Sequence, residues 1–250
     1  MLLEIFKDSF EYSYKDPRSI FKFGILSLLS VFIVPMFFAA GYYYRVTDIG
    51  LNGTINGEDP LPKFEKWTNM FVQGFKVLIV RLIYLIPGTL IYLIHHERPY
   101  GMISSIFNIQ FLSFEFGIFS LAAILWITFY LFSSAAVTNM INKNGSLRAA
   151  FEFKEIIAII KSIGIVRYIK FYFGCIILAI GILGTAFGVI LLITGSVAFI
   201  IWVVTSLKPY FVGGFIAGLF SIIAVLFLIP FFLTFESRAI ALLYNMRELD

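Results

Sequence analysis

Three ionisable residues stand inside apolar runs long enough to cross a bilayer: Arg81, Glu115 and Lys76. If the second of these runs begins near residue 71, Arg81 lies about 15 Å inside it. An arginine at that depth costs at least about 2.5–3.5 kcal/mol and needs a partner or a water-filled cavity. We therefore predict a buried polar pair between Arg81 and Glu115, with Lys76 as a competitor for the carboxylate. The alternative is that residues 64–81 lie in the membrane interface and Arg81 reaches the head groups.

The other candidates for chemistry are weaker. His95 and His96 adjoin Glu97, but neighbouring residues on a helix point about 100° apart and no zinc-ligand spacing lies nearby. Cys175 is the single cysteine and stands in an apolar run, which favours an inert thiol. The sequence has no P-loop, dinucleotide fingerprint, G-x-S-x-G elbow or H-E-x-x-H motif. We predict no catalytic residue, no metal site and no cofactor.

Two pairs of glycines have the spacing that lets membrane helices approach closely. Gly184 and Gly188 form one pair, and Gly214 and Gly218 form the other. Small residues four apart leave a flat helix surface on which a second helix can pack. The sequence therefore predicts helix-packing sites at these four glycines.

Composition indicates the environment in which these residues must lie. The chain has 250 residues, of which 60% are hydrophobic and 14% charged, whereas ordinary soluble domains carry about 25% charged residues. The net charge of +4 is too small to indicate nucleic acid as a partner. It fits contact with anionic lipid head groups. We expect membrane lipids as partners, and a second copy or an unidentified membrane protein is a further candidate.

The apolar runs predict an all-α, polytopic transmembrane bundle that forms one membrane domain over residues 1–250. The six predicted spans cover residues about 20–44, 71–94, 111–137, 169–184, 187–207 and 210–235. As one helix, residues 171–207 would rise about 55 Å, far more than the hydrocarbon core. We therefore predict a hairpin that turns near Gly181, Gly184 or Gly188.

Amphipathic patterns predict helices at the membrane surface. We predict one such helix at residues 2–14, within the amphipathic segment 1–16, and another at residues 147–161. We also predict an amphipathic entry to a span at residues 64–75 and an amphipathic tail at residues 236–250. Basic residues in 45–66 and 143–170 predict that these loops face the cytoplasm. An odd number of crossings is not available with six full spans, so both termini then lie outside, although Lys7, Lys15, Arg18 and Lys22 predict an N-terminus inside. A re-entrant first segment, turning at Pro35, removes the conflict at the N-terminus.

Several short motifs resemble one known family across nearly the whole chain. The most specific are GYYYRV at 41–46 and GEDPLPKF at 57–64, followed by Trp67 and FVQGFK at 71–76. The Tyr14-x-Asp16-Pro17, Phe151-x-Phe153 and YNMRE (244–248) segments agree with the same pattern. The chain resembles the prokaryotic, largely archaeal family with the domain of unknown function 4013 (DUF4013). The resemblance implies a multi-pass membrane protein, and it supplies no catalytic residue that could be assigned to a position of this chain.

Three functional hypotheses follow from these patterns. The first is a non-enzymatic, transporter-like or lipid-interacting membrane module or subunit, supported by the broken apolar runs and by Arg81 with Glu115. The second is a membrane-embedded enzyme that modifies lipids, which needs a cluster of carboxylates, histidines or metal ligands. The third is an envelope scaffold whose amphipathic helices bind the bilayer.

Overall fold

The computed structural model describes residues 1–96, 109–205 and 209–248, and the side chains of 1–93, 119–204 and 213–247. In these ranges the chain forms eight α-helices and two short 3₁₀ turns. They are α1 (Leu2–Tyr14), α2 (Pro17–Leu29), α3 (Ile33–Asn52), α4 (Trp67–His96), α5 (Ile109–Asn142), α6 (Phe153–Ile163), α7 (Ile165–Thr205) and α8 (Pro209–Asn245), with the 3₁₀ turns at Leu147–Phe151 and Met246–Glu248. The predicted all-α class is confirmed.

One end of the molecule is a closely packed region that we call the base. It comprises α1, the loop 53–66, residues 133–163, the first turns of α7 and residues 235–247. Its core is a continuous cluster of buried side chains from α1, α3, α5, α6, α7 and α8, among them Ile5, Met140, Ile156, Phe171 and Leu243. The base therefore joins the two ends of the chain.

Three helical hairpins leave the base. The helices of the α2–α3 hairpin pack on each other, with the rings of Phe23 and Tyr42 4.5 Å apart. The α4–α5 and α7–α8 hairpins are much longer, and together they contain the four candidate membrane spans: Trp67–Leu93, Phe119–Asn142, Ile165–Val204 and Gly213–Asn245. The lengths and hydropathy of these four helices are those of a membrane protein.

The α2–α3 hairpin corrects the predicted full span at 20–44. Helix α2 has 13 residues, a rise of about 20 Å, which is too short to cross the hydrocarbon core. The chain turns at residues 30–32, and Pro35 lies in the first turn of α3, where a proline removes no helical hydrogen bond. Apolar side chains at the tip are strongly exposed, with Val31 at 88%. This segment has the geometry of a re-entrant hairpin, although the turn lies before Pro35.

The predicted hairpin within residues 171–207 is wrong. Helix α7 is a single helix of 41 residues, about 60 Å long. The length argument assumed that the whole run lies in lipid, but Tyr168, Phe171, Tyr172 and Leu178 belong to the core cluster of the base. The part of α7 after Leu178 rises about 40 Å, which matches a bilayer together with its head-group regions, so this part can cross without turning back.

Two smaller predictions also need correction. Residues 147–161 are not one helix, because a 3₁₀ turn ends at Phe151 and α6 begins at Phe153. Residues 236–247 are not an amphipathic surface tail, because α8 continues to Asn245 and Ser237, Arg238 and the next six residues are buried. The predicted helix at 2–14 is confirmed, and its buried face includes Asp8 and Ser9.

Single glycines mark the closest helix contacts. A β-carbon at Gly74 of α4 would collide with the backbone carbonyl of Phe37, and one at Gly41 of α3 with that of Met70. Gly24 lies equally close to the carbonyl of Leu226 in α8. These positions let α2, α3, α4 and α8 approach until their backbones touch, since only glycine has no side chain to separate them.

Candidate functional site

Arg81 lies in the middle of α4 and turns towards α3 and α5. The guanidinium carbon is 4.5 Å from the centre of the Tyr43 ring and 5.8 Å from that of Tyr130. Its Nε and Nη2 atoms are inaccessible to solvent and have no hydrogen-bond partner among the described residues. The side chain therefore points into the bundle and not along the surface, which disfavours the interfacial alternative for this arginine.

A carboxylate from α8 lies in the same place. The hydroxyl of Tyr130 donates a hydrogen bond of 2.6 Å to Glu236 Oε1, and Glu236 is near enough to attract the charge of Arg81. Tyr172 of α7 contacts Tyr130 edge to face at 6.4 Å, and its hydroxyl is a buried group without a partner in the described part of the chain. We call Tyr43, Arg81, Tyr130, Tyr172 and Glu236 the polar cluster.

Two cavities flank the polar cluster. The larger, which we call the hairpin cavity, has a volume of about 630 Å³ and lies between α4, α5, α7 and α8. Its lining is mostly apolar, and the polar groups are at one end: Tyr130, Tyr172 and Glu236. The smaller, which we call the tip cavity, has a volume of about 220 Å³. It lies beside the tip of the α2–α3 hairpin and is lined by Arg81, Tyr43 and Ser27 together with apolar residues.

The base contains a second buried arginine, with a different environment. Arg238 is fully buried. Its Nε donates to Asp8 Oδ2 at 3.0 Å, its Nη1 lies 2.8 Å from Asp59 Oδ2, and its Nη2 donates to the carbonyl of Thr54 at 3.1 Å. The Asp8 carboxylate also accepts the backbone N–H of Asn56 at 2.6 Å. This network ties α1, the loop 53–66 and α8 together.

The structure places the predicted site residues as follows. Lys76 donates to the carbonyl of Gly145 at 2.7 Å, so it connects α4 with the loop after α5. The side chains of Glu115, His95 and His96 lie outside the described residues, and the predicted pair of Arg81 with Glu115 stays a prediction. Cys175 is half-buried and lines the hairpin cavity.

The four predicted packing glycines contact no other segment in the described part of the chain. Added β-carbons at Gly184, Gly188, Gly214 and Gly218 would meet nothing within 4 Å. Within the described chain, the close approaches of α2, α3, α4 and α8 occur instead at Gly24, Gly41 and Gly74.

Sequence reasoning missed Arg238 as a buried group and Glu236 as a partly buried one. One signal was present in the sequence. An almost wholly apolar stretch, Ile222–Phe235, precedes both residues, and a second one, Ala239–Tyr244, follows them. Charges enclosed in this way are seldom solvated, because a surface tail has no reason to be apolar on both sides. Asp8 and Tyr43 carried no comparable signal, since their roles depend on partners distant in the chain.

Four helices long and apolar enough to cross a membrane make this a helical membrane protein. The family model described as protein of unknown function (DUF4013) matches residues 25–195. The chain belongs to this family. A search of curated proteins finds no match, and a search of solved structures finds none either.

Proposed function

We propose that this protein is a lipid-binding module of the cell membrane, and that the hairpin cavity holds an amphipathic lipid. The observation that supports this most is the composition of the cavity wall. Side chains such as Leu85, Ile176 and Phe232 line most of it, and the Glu236 carboxylate lies at one end. An apolar space with a few polar groups at one end is typical of sites for amphiphiles.

The position of the cavity supports the choice of occupant. All four helices that line it are candidate spans. The cavity lies where these helices leave the base, and exposed apolar side chains such as Phe173 border it, so an acyl chain of the bilayer can enter it from the side. The Tyr130 hydroxyl holds one oxygen of Glu236, and the carboxylate has further acceptor sites for a hydroxyl or ammonium group of the bound lipid.

Within this site Glu236 is the carboxylate that we assign to Arg81, in place of Glu115. Glu115 and Tyr130 belong to the same helix, α5, and fifteen residues of helix correspond to about 22 Å. Tyr130 contacts both Arg81 and Glu236. A carboxylate on α8 can therefore balance the charge of Arg81, whereas one at residue 115 is too distant along the helix axis.

The distribution of charge supports an orientation with the base in the cytoplasm. Every lysine and arginine except Arg98 and Lys208 lies in segments 7–81, 143–170 or 238–247, and basic residues favour the cytoplasmic side. Cysteines placed at Asn56 and Asn144 in a Cys175→Ser background should react with membrane-impermeant reagents only after the cells are opened. Reaction of either cysteine in intact cells contradicts this orientation.

Lipid binding is tested by a matched pair of substitutions in α7. Ile176 lines the hairpin cavity and Ile177 does not, although the two are equally exposed, at 53% and 56%. Ile176→Trp should fill the cavity and lower the amount of lipid that remains bound to the purified protein in native mass spectrometry by at least about fivefold. Ile177→Trp should leave it unchanged. Equal retention by both variants, or no retained lipid in the parent protein, contradicts the proposal.

A further inference from the structure

Three residues that line the tip cavity carry four polar groups without a hydrogen-bond partner in the described part of the chain. They are the Arg81 Nε and Nη2 groups, the Tyr43 hydroxyl and the Ser27 hydroxyl, and each is inaccessible to solvent. Arg81, Tyr43 and Ser27 all line this cavity, and only 2% of Tyr43 is exposed. Buried polar groups are nearly always hydrogen-bonded, so unpaired donors in one cavity require an explanation.

The chemistry of these groups indicates the class of ligand. The Arg81 guanidinium and the hydroxyls of Tyr43 and Ser27 can donate hydrogen bonds. The other lining side chains, such as Met36, Val77 and Leu233, are apolar except for Ser30, whose hydroxyl donates to the carbonyl of Leu26. An arginine presents parallel N–H groups that match the two oxygens of a carboxylate or phosphate. The wall therefore offers donors for an oxyanion and an apolar surface for a hydrocarbon chain.

From this geometry we infer that the tip cavity binds the oxyanion head of an amphiphile, a carboxylate or a phosphate, through Arg81, Tyr43 and Ser27. The site is separate from the hairpin cavity and has none of its lining residues in common. Its position beside the exposed apolar tip of α2–α3 gives the hydrocarbon chain a path to the bilayer.

Among the described groups near Arg81, Glu236 is the one whose negative charge would repel a bound oxyanion. It attracts the guanidinium from the side of the hairpin cavity and accepts from Tyr130. An arginine has five N–H donors and can bind groups on two edges. The ligand oxyanion and Glu236 therefore approach the guanidinium from different cavities, with the Tyr43 ring against its face.

The experiment uses the full-length protein in nanodiscs of phosphatidylcholine with oleate as the probe. Binding of oleate is compared with that of methyl oleate, which has the same chain and no charge. We expect oleate to bind at least about tenfold more tightly. In a parallel measurement, phosphatidylglycerol in the nanodisc competes with oleate if a phospholipid supplies the oxyanion. It has no effect if the site is specific for a free fatty acid. Both results support an oxyanion site and identify its source.

A pair of neighbouring tyrosines provides the decisive variants. Tyr43→Phe removes a hydroxyl that faces the tip cavity but keeps the ring under Arg81, and it should weaken oleate binding about tenfold. Tyr42→Phe is the control, since Tyr42 is also fully buried with an unpaired hydroxyl but does not line the cavity. Ser27→Ala should weaken binding less, and Ile176→Trp should leave it unchanged, because that substitution affects only the hairpin cavity.

Three results overturn the inference. Equal affinity for oleate and methyl oleate shows that no oxyanion is recognised. Equal effects of Tyr43→Phe and Tyr42→Phe show that the cavity donors take no part. Loss of oleate binding in Ile176→Trp with no effect of Tyr43→Phe places the fatty acid in the hairpin cavity, which supports the proposed function and removes the second site.

Discussion

The base and the hairpins each contain a buried arginine, and the two arginines differ in what surrounds them. Arg238 in the base contacts two carboxylates and a backbone carbonyl. Arg81, between the hairpins, lies against aromatic rings and keeps two nitrogens without partners among the described residues. Arg238 Nη1 also forms no hydrogen bond in the described part of the chain, so the difference lies in the counter-ions: Arg238 has two close ion pairs and Arg81 has none among the described residues. The base therefore balances the charge of its arginine within the protein, and the proposed binding sites lie beside the arginine whose charge is less fully balanced.

The apolar side chains of the two regions also differ in how far the protein encloses them. Ile156, Ile163 and Leu243 in the base are fully enclosed by protein. Ile180, Leu192 and Val204 of α7 are chemically similar, and each is more than 60% exposed. Since hydrocarbon surrounds the second group, its exposure costs nothing in a bilayer, and packing in the hairpins depends on shape instead of burial.

The largest effect should come from Arg238→Leu. This change leaves the buried Asp8 and the partly exposed Asp59 without their counter-ion, and breaking a buried pair costs about 3–5 kcal/mol. The free energy of unfolding of the detergent-solubilised protein, measured by denaturant titration, should fall by that amount. Arg148→Leu is the control, since 90% of that side chain is exposed. Similar losses in the two variants would show that the base does not depend on this network.

A smaller loss is expected for Gly74→Ala. The added β-carbon meets the carbonyl of Phe37, so α3 and α4 must separate, and overpacking of this kind costs about 1–3 kcal/mol. Gly188→Ala is the matched control, because its β-carbon meets no atom within 4 Å, and it should be neutral or slightly stabilising. Thermal unfolding of both variants decides the comparison. A larger loss for Gly188→Ala would indicate a helix contact at that glycine outside this chain.

Arg81→Leu should cost less than Arg238→Leu. The principal contacts of Arg81 are with the Tyr43 and Tyr130 rings, and a desolvated cation–π contact contributes about 2 kcal/mol. Glu236 is only partly buried and keeps the hydrogen bond from Tyr130 after the change, so the loss of its counter-ion adds little. The same denaturant titration should therefore show a loss of no more than about that value. A loss as large as that of Arg238→Leu contradicts the distinction between the two arginines and indicates that Arg81 is a structural centre.

The smallest effect should come from the surface of the base. A hydrogen bond from Lys143 lowers the pKa of Glu155 from its usual value of about 4.5. A depressed carboxyl pKa stabilises the fold above the unfolded-state value, and this contribution is lost as the pH falls below about 4.5. Glu155→Gln should remove this part of the pH dependence and change stability little at pH 7, because exposed pairs contribute at most about 1 kcal/mol. An unchanged pH profile between 5 and 3 contradicts the assignment.

Sequence patterns predicted those features that depend on neighbours along the chain. The apolar runs predicted the membrane class, and the periodicity of residues 2–14 predicted α1 within the bounds observed. The Asp16-Pro17 pair begins α2, with Asp16 accepting the backbone N–H of Arg18 at 3.1 Å. Each of these features is determined by a few consecutive residues.

Features that depend on distant partners were not predicted. The length of the apolar run in α7 indicated a turn, because nothing in that run shows that its first residues pack in the base. The Gly-x-x-x-Gly spacing is a property of one helix, whereas Gly41 and Gly74 come together only when two helices cross. Likewise, Glu236 could be recognised as the neighbour of Arg81 only after α4, α5 and α8 were placed together.

The contact between Asp8 and Arg238 has a consequence for the order of folding, because 230 positions separate the two residues. During synthesis α1 emerges long before α8, and its acidic, partly apolar face has no partner until α8 has left the ribosome. The α4–α5 hairpin can form early from neighbours in sequence, but the base can close only after α8 has been made. A protein truncated before Arg238 should therefore insert its first hairpins into the membrane and leave α1 open to proteolysis.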